Sequence, residues 1–266
     1  MPKKDMHSTV SSLLGFSHER GGAHLARTIM FEELQGVLRQ ITDFSASKEQ
    51  YRQAIVDENC LSKRSGRTRL LSYRHLVDLY SLDNGTTLFR NLLHFWQRDP
   101  SARTSLAFLC AYARDPLLRN ATPFLFDHPI GASVKRQDLE QFIDSLEPDR
   151  FSAATLKSLA QNINSTWTQV GFLTGRVRKV RSQPPVTPGA TAYALLLSYL
   201  KGLRGMALFE SEYVNLLDCP LETALDSAAE ASRRGWIVFK RVGNVVEVLF
   251  PNLLTDAEME LLREQG

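Results

Sequence analysis

The chain has 266 residues, of which 32 are basic and 29 acidic, for a formal net charge of +3; 43% are hydrophobic and 23% charged. This is the composition of an ordinary soluble globular protein, and the length exceeds one compact domain, so two or three modules are expected. A balance of +3 excludes a uniformly basic nucleic-acid binder, and any electrostatic footprint has to be local.

The first 16 residues, MPKKDMHSTVSSLLGF, hold an apolar run too short for a signal-peptide core, and no stretch reaches the ~18 apolar residues of a membrane span. Cys60, Cys110 and Cys219 are odd in number, far apart and without CxxC spacing. Reduced thiols in a cytoplasmic protein are expected, with no disulfide framework, zinc site or membrane partner.

From Gly22 to Ile41, Leu25, Ile29, Met30, Leu34, Val37, Leu38 and Ile41 recur at intervals of three and four and predict one amphipathic helix. A second helix follows in SASKEQYRQAIVDEN, where Ser47 and Gln50 have capping-box spacing. After the loop CLSKRSG, three segments with wide apolar stripes predict three more helices: RTRLLSYRHLVDLYSL, TTLFRNLLHFWQRD and SARTSLAFLCAYARD. Pro116, Pro123 and Pro129 break the next stretch, which reads as a connector from 116 to 131 with room for one short helix. Helical periodicity resumes over 135–146 and 152–170, the latter capped by Ser152. SQPPVTPGA, residues 182–190, is the clearest linker.

Beyond the linker come a buried helix, a shorter one, and an alanine-rich one stopped by Gly235. The period then changes to two, and WIVFKRV and NVVEVLF form a hairpin turning at Gly243-Asn244, a dipeptide suited to a type II′ turn. Three helices and a hairpin are the layout of a winged helix. The expected organisation is a flexible N-terminus over 1–21, a helical bundle over 22–150, a helix with a basic wing and Pro-rich linker over 151–188, and a C-terminal winged-helix-like domain over 189–266.

Enzyme signatures are missing. GxGxxG, GxxxxGK[ST] and GxSxG do not occur, HERGGAH is not HExxH, and the six histidines at 7, 18, 24, 75, 94 and 128 are scattered. The acidic pairs Glu32-Glu33 and Asp57-Glu58 read as solvated helix faces, and Phe95, Trp96, Phe124 and Phe126 as core. No catalytic activity, cofactor, metal or small-molecule substrate is expected.

Two basic clusters stand out: Lys63, Arg64, Arg67, Arg69 and Arg74, and Arg176, Arg178, Lys179 and Arg181, each without an intervening acid. Next to the second cluster, the C-terminal half of the 152–170 helix offers Gln161, Asn162, Asn164, Ser165, Thr168 and Gln169, an uncharged face able to hydrogen-bond bases or phosphates. In FLTGRVRKVRSQ, Val177 and Val180 are expected to pack inward and the cations to point out, as a wing meeting a phosphate backbone. The 221–234 helix is expected to turn Leu221, Leu225, Ala228 and Ser232 inward and Glu222, Asp226, Glu230 and Arg234 outward. Its carboxylates oppose phosphates, so the C-terminal module reads as a packing or protein-contact element.

Ala54 to Tyr80, with an acidic-Asn-x-Leu turn, a Lys-Arg-Ser segment and an arginine-rich helix start, resembles the BrxA family, the small accessory proteins of BREX bacteriophage-exclusion systems; Thr104 to Phe126 is similar to that family's following segment. The resemblance implies a mostly α protein, a NusB-like helical bundle followed by winged-helix-type modules with small β-hairpins. It also implies double-stranded DNA binding beside other BREX components, without catalysis, and puts Lys63, Arg64, Arg67 and Arg69 on the matching basic segment. An extended Pro-rich connector between 116 and 131 departs from the compact members. The functional expectation is that both clusters form one continuous basic surface beside Asn164, Thr168 and Gln169, making four to six phosphate contacts and a log-log salt slope of roughly −4 to −5. An RNA-binding factor of the antitermination type and a pure docking module are the alternatives.

Overall fold

The computed structural model describes residues 10–17 and 21–263. His7, His18 and most of the 1–21 segment lie outside them. The described residues are mostly helical, with two small antiparallel sheets. In chain order the elements are a 3-10 turn at Ala23–Leu25, α1 (Phe31–Gln40), α2 (Lys48–Arg52) running into a π turn (Gln53–Asp57), α3 (Gly66–Tyr80), α4 (Thr87–Arg98), α5 (Arg103–Arg114) and α6 (Pro116–Phe126). Then come β1 (Ser133–Val134), α7 (Arg136–Leu146), α8 (Ala153–Val170), β2 (Leu173–Thr174), β3 (Lys179–Arg181), α9 (Pro188–Leu200), α10 (Glu212–Asn215), α11 (Leu221–Arg233), β4 (Val238–Val242), β5 (Val245–Leu249) and α12 (Asp256–Arg263).

Local chemistry explains most of these boundaries. Ser47 and Gln50 form the expected reciprocal cap, the Gln50 amide donating to Ser47 Oγ at 3.4 Å and the Ser47 amide to Gln50 Oε1 at 2.7 Å. Ser152 caps α8 by accepting from the Thr155 amide, and Gly171, at φ 100°, ends it in the left-handed region that favours glycine. At the β4–β5 turn only Gly243 takes a positive φ, 59°, and Val242 pairs with Val245, as the two-residue II′ hairpin requires.

Three local expectations are corrected. The single helix over 22–41 is broken: after Ala23–Leu25 the backbone leaves the helix, reaches a left-handed Met30 (φ 50°) and resumes at Phe31. Long-range bonds replace the helical ladder here, since the Ile29 amide donates to Thr166 Oγ1 at 3.0 Å and the Tyr80 hydroxyl donates to the Ile29 carbonyl. The 116–131 connector contains an eleven-residue helix, α6. Asp115 caps it through the amides of Leu117 and Leu118, and Pro116 sits at the first helical position, where its missing N–H costs nothing. The stretch Pro188 to Ala190, assigned above to the linker, is the first turn of α9, capped by Thr187 with Pro188 again in the opening turn.

Contacts divide the chain into two compact units. One combines residues up to Phe16 with Gly85–Leu109 and Pro185–Gly266, and the other combines Ser17–Asn84 with Cys110–Pro184. A border at 184/185 falls inside the expected linker. Residue 150 is no border, and 85–109 groups with the C-terminal part rather than with a 22–150 bundle. The reason is α9, which is apolar all round and buries Tyr193, Leu195, Leu196 and Leu197 completely, so it needs partners on several sides. α4 and α11 supply them, and the Tyr193 hydroxyl donates to the Leu88 carbonyl at 3.0 Å. On α11 the buried stripe is Ala224, Leu225, Ala228 and Ala231, while Leu221 is exposed and Ser232 half-buried, a shift from the expected inward set.

In the second unit α8 packs on α7 and on the 23–25 turn. Leu159, Ala160, Ile163, Trp167 and Val170 form its buried face, and Trp167 stacks on Phe124 with ring centroids 6.5 Å apart. The opposite face of α8 is free to border a cleft, and its far wall is a three-stranded sheet in the order β1-β3-β2.

Candidate nucleic-acid interface

Between the C-terminal half of α8, the β1–α7 junction and the β2–β3 turn lies a cleft of about 740 Å³. Gln161, Asn164, Ser165, Thr168 and Gln169 line one side. Ser133 to Gln137 and Arg176 to Lys179 line the rest, so the walls carry five cations, Lys135, Arg136, Arg176, Arg178 and Lys179, and no carboxylate.

Pairing of β3 with both β1 and β2 brings these segments together, with Ser133 opposite Val180, Val134 opposite Lys179, and Thr174 opposite Val180. Gly175, at φ 87°, makes the turn possible; a Cβ there would meet the Arg178 carbonyl oxygen at 2.1 Å. The cations find mostly neutral partners. Lys179 Nζ donates to the Gly175 carbonyl at 2.8 Å and Arg178 Nε to Ser133 Oγ at 3.3 Å, whereas Arg136 pairs with Glu140 one helical turn along α7. With Arg136 neutralised, four cations of like sign share one recess, an arrangement that lowers in free energy when an anion enters.

The neutral wall is partly prearranged. Thr168 Oγ1 donates to the Asn164 carbonyl at 2.7 Å, and Gln169 Nε2 donates to Thr28 Oγ1 at 3.5 Å. Asn164 is only 6% exposed, and its carboxamide oxygen is buried without a hydrogen-bond partner. Such an acceptor costs about 1–3 kcal/mol while it stays unsatisfied.

Six of the expected residues therefore share one site: Asn164, Thr168, Gln169, Arg176, Arg178 and Lys179. Arg181 does not. It is 2% exposed, its Nε donates to the Leu125 carbonyl at 3.3 Å, its Nη1 donates to the Ser182 carbonyl, and its guanidinium lies over the Phe126 and Phe172 rings at 5.2 and 5.5 Å. The turn occupies 175–178, so the strand alternation starts later than expected: Val177 is 97% exposed at the tip and Arg181 faces the core.

The first basic cluster is also corrected. None of Lys63, Arg64, Arg67, Arg69 and Arg74 lines the cleft, so the two clusters are not one site. Lys63 Nζ is bound to Glu33 Oε1 at 3.0 Å, and Arg69 Nη1 donates to the Val56 carbonyl at 3.3 Å. Arg64, just before α3, and Arg67 and Arg74, on it, are exposed.

Lys135 and Arg136 escaped sequence reasoning. Their only local signal was a basic pair ahead of a helix; their place in the cleft comes from the β1–β3 pairing, about 45 residues apart. A buried polar network was also missed. His24 Nδ1 lies 2.8 Å from Asp115 Oδ2 and His24 Nε2 lies 3.0 Å from Thr166 Oγ1, with the His24 amide donating to Asp115 Oδ2 at 3.0 Å. The order carboxylate, imidazole, hydroxyl has the form of a proton relay. All three groups are buried, however, and Thr166 Oγ1 already accepts the Ile29 amide, so the set joins three elements and offers nothing to a substrate. Among the described residues no group of three or more His, Cys, Asp or Glu side chains is placed to hold a metal, and no helix is long and apolar enough to cross a membrane.

No protein-family profile matches the chain, and no curated protein matches it in sequence. The cleft's own chemistry therefore carries the functional argument.

Proposed function

We propose that the protein is a non-enzymatic DNA-binding protein that holds duplex phosphates at the cleft between α8 and the β2–β3 turn. The observation that carries this reading is a recess lined by five cations and no acid, with an uncharged hydrogen-bonding helix face alongside. Cations fix a phosphate backbone irrespective of sequence, and neutral amides and hydroxyls approach it without repulsion. Lys135, Arg176, Arg178 and Lys179 are the phosphate contacts. Four contacts give a log-log salt slope of roughly −3 to −4, below the slope expected from both clusters together. A mobility-shift titration across salt concentrations checks this. The triple variant Arg176→Glu, Arg178→Glu, Lys179→Glu should lose binding to unrelated duplexes alike, and a folded triple variant that binds like the parent overturns the reading.

The finer fold belongs to the same proposal. The run of helices before residue 150 supports a NusB-like front, and the order α9, α10, α11, β4, β5 supports a winged-helix-like end. Together with the BrxA-like segments, these features suggest a cytoplasmic accessory of BREX-type phage defence working beside other components of that system. The C-terminal hairpin suits protein contact better than phosphate contact, because Arg241 pairs with Glu222, Lys240 with Glu247, and Arg233 and Arg234 with Glu230. Association with a defence component that survives nuclease treatment would support this docking role. Preference for an A-form duplex or single-stranded RNA in direct competition would replace DNA by RNA as the ligand.

A further inference from the structure

Within the proposed DNA-binding reading, one feature of the cleft is out of place. A duplex lying across the mouth meets the exposed arginines of the turn, but it cannot reach a side chain that is 6% exposed. Asn164 is such a side chain; it lines the cleft, and its carboxamide oxygen is buried with no partner. The recess holds about 740 Å³, a volume suited to one small ligand. Beside Asn164 are Gln161, Ser165 and Thr168, all neutral, and on the opposite wall α7 starts at Lys135 with no side chain capping it. The first turn of an eleven-residue helix without a side-chain cap, next to Lys135, suits a phosphate group. Two acids of α7 lie nearby, Asp138 in that first turn and Glu140, which pairs with Arg136, and neither lines the cleft.

We propose that the cleft takes a single nucleotide extruded from the stack, with its phosphate at the start of α7 and Lys135 and its base against the carboxamide of Asn164. This rests on the DNA-binding reading and deepens it. A buried acceptor selects a donor, which favours a base with an exocyclic amino group; a carboxamide pairs in two-point fashion with adenine in particular. The cleft has no aromatic wall, so recognition here is by hydrogen bonding and not by stacking. Val177 fits the same picture. It is an apolar residue, 97% exposed, at the tip of the turn between Arg176 and Arg178. Apolar side chains in that setting serve as wedges that fill the gap an extruded base leaves.

The test compares the full chain's affinity, by fluorescence anisotropy at one salt concentration, for a short fully paired duplex, the same duplex with one bulged nucleotide of each base, and the duplex with an abasic bulge. The adenine bulge should bind roughly tenfold tighter than both the paired and the abasic duplexes. Asn164→Leu should abolish the difference in affinity between the adenine bulge and the abasic bulge. An unchanged thermal melt of the variant shows that the loss is not unfolding. Equal affinity for paired, abasic and base-bearing bulges overturns the nucleotide site and leaves duplex binding standing. Failure to bind any duplex overturns both.

Discussion

Asp115 stands at the most heavily bonded point of its unit, accepting from the backbone amides of His24, Leu117 and Leu118 and lying against the His24 ring. Burial by itself would raise its carboxyl, but the His24 ring, together with the amides of His24 and Leu118, outweighs that and holds it below the usual 3.8. Asp115→Ala strands these donors in the interior and should cost about 3–5 kcal/mol in urea unfolding at neutral pH. Because the folded value is depressed, the stabilisation is fully present above pH 3.8 and is lost as pH falls through the lower folded value. Asp115→Asn should accordingly flatten the acid end of the stability curve. Gly22 is held to the same carboxylate: its φ of 176° suits any residue, but a Cβ would meet Asp115 Oδ1 at 2.1 Å. Gly22→Ala should therefore destabilise by about 1–3 kcal/mol, read by the same unfolding experiment. In the other unit, burial and then Arg98 push His94 down from 6.5 to about 4. The unfolded chain takes up the proton first, so stability should decline between pH 6.5 and about 4 as pH falls, and His94→Gln should remove that part of the slope in a melting-temperature series.

At the level of elements, the β2–β3 hairpin shows how a small shift in register reassigns charges. Gly175 takes the turn and β3 starts at Lys179, which leaves Arg176 and Arg178 at the tip and sends Arg181 inward. Gly175→Ala forces a strained turn against the Arg178 carbonyl, at a cost of roughly 1–3 kcal/mol, and re-aims both tip arginines. The expected outcome is weaker DNA binding with an unchanged far-ultraviolet spectrum. Arg181→Ala should act oppositely. It removes the bonds to the Leu125 and Ser182 carbonyls and the contact with two rings, so the melting temperature falls while the folded fraction binds DNA as before. Equal loss of binding from Arg181→Ala and from Arg178→Ala would contradict the inward placement.

For the molecule as a whole, a net charge of +3 gives little general attraction to polyanions, so binding has to depend on where charges gather. Each cluster has one cation paired with a carboxylate, Arg136 with Glu140 and Lys63 with Glu33, and what sets the cleft apart is that its four remaining cations line one recess. Exposed charges more than about 8 Å from a phosphate are largely screened at physiological salt. Reversing Arg64, Arg67 and Arg74 together should therefore change duplex affinity only a few-fold, against near-complete loss on reversing Arg176, Arg178 and Lys179. Parallel titrations of the two triple variants check this, and a greater loss from the α3 variant would move the interface there.

Much of this protein can be read directly from the order of its residues. The capping box at Ser47, the Ser152 cap, the II′ turn at Gly243 and the uncharged face of the 152–170 helix each follow from side chains within a few positions of one another, because caps, turns and helical periodicity are short-range effects. The grouping of Arg176, Arg178 and Lys179 with the neutral α8 residues Asn164, Thr168 and Gln169 was legible for the same reason. Other features needed distant partners. The break before Phe31 depends on Thr166 and Tyr80, the inward Arg181 on carbonyls and rings from other elements, the recruitment of Lys135 on a strand pairing across some 45 residues, and the grouping of 85–109 with the C-terminal part on the all-round apolar surface of α9. Only the folded chain decides such matters, since burial and hydrogen bonding between remote segments can outweigh the preference of any single stretch.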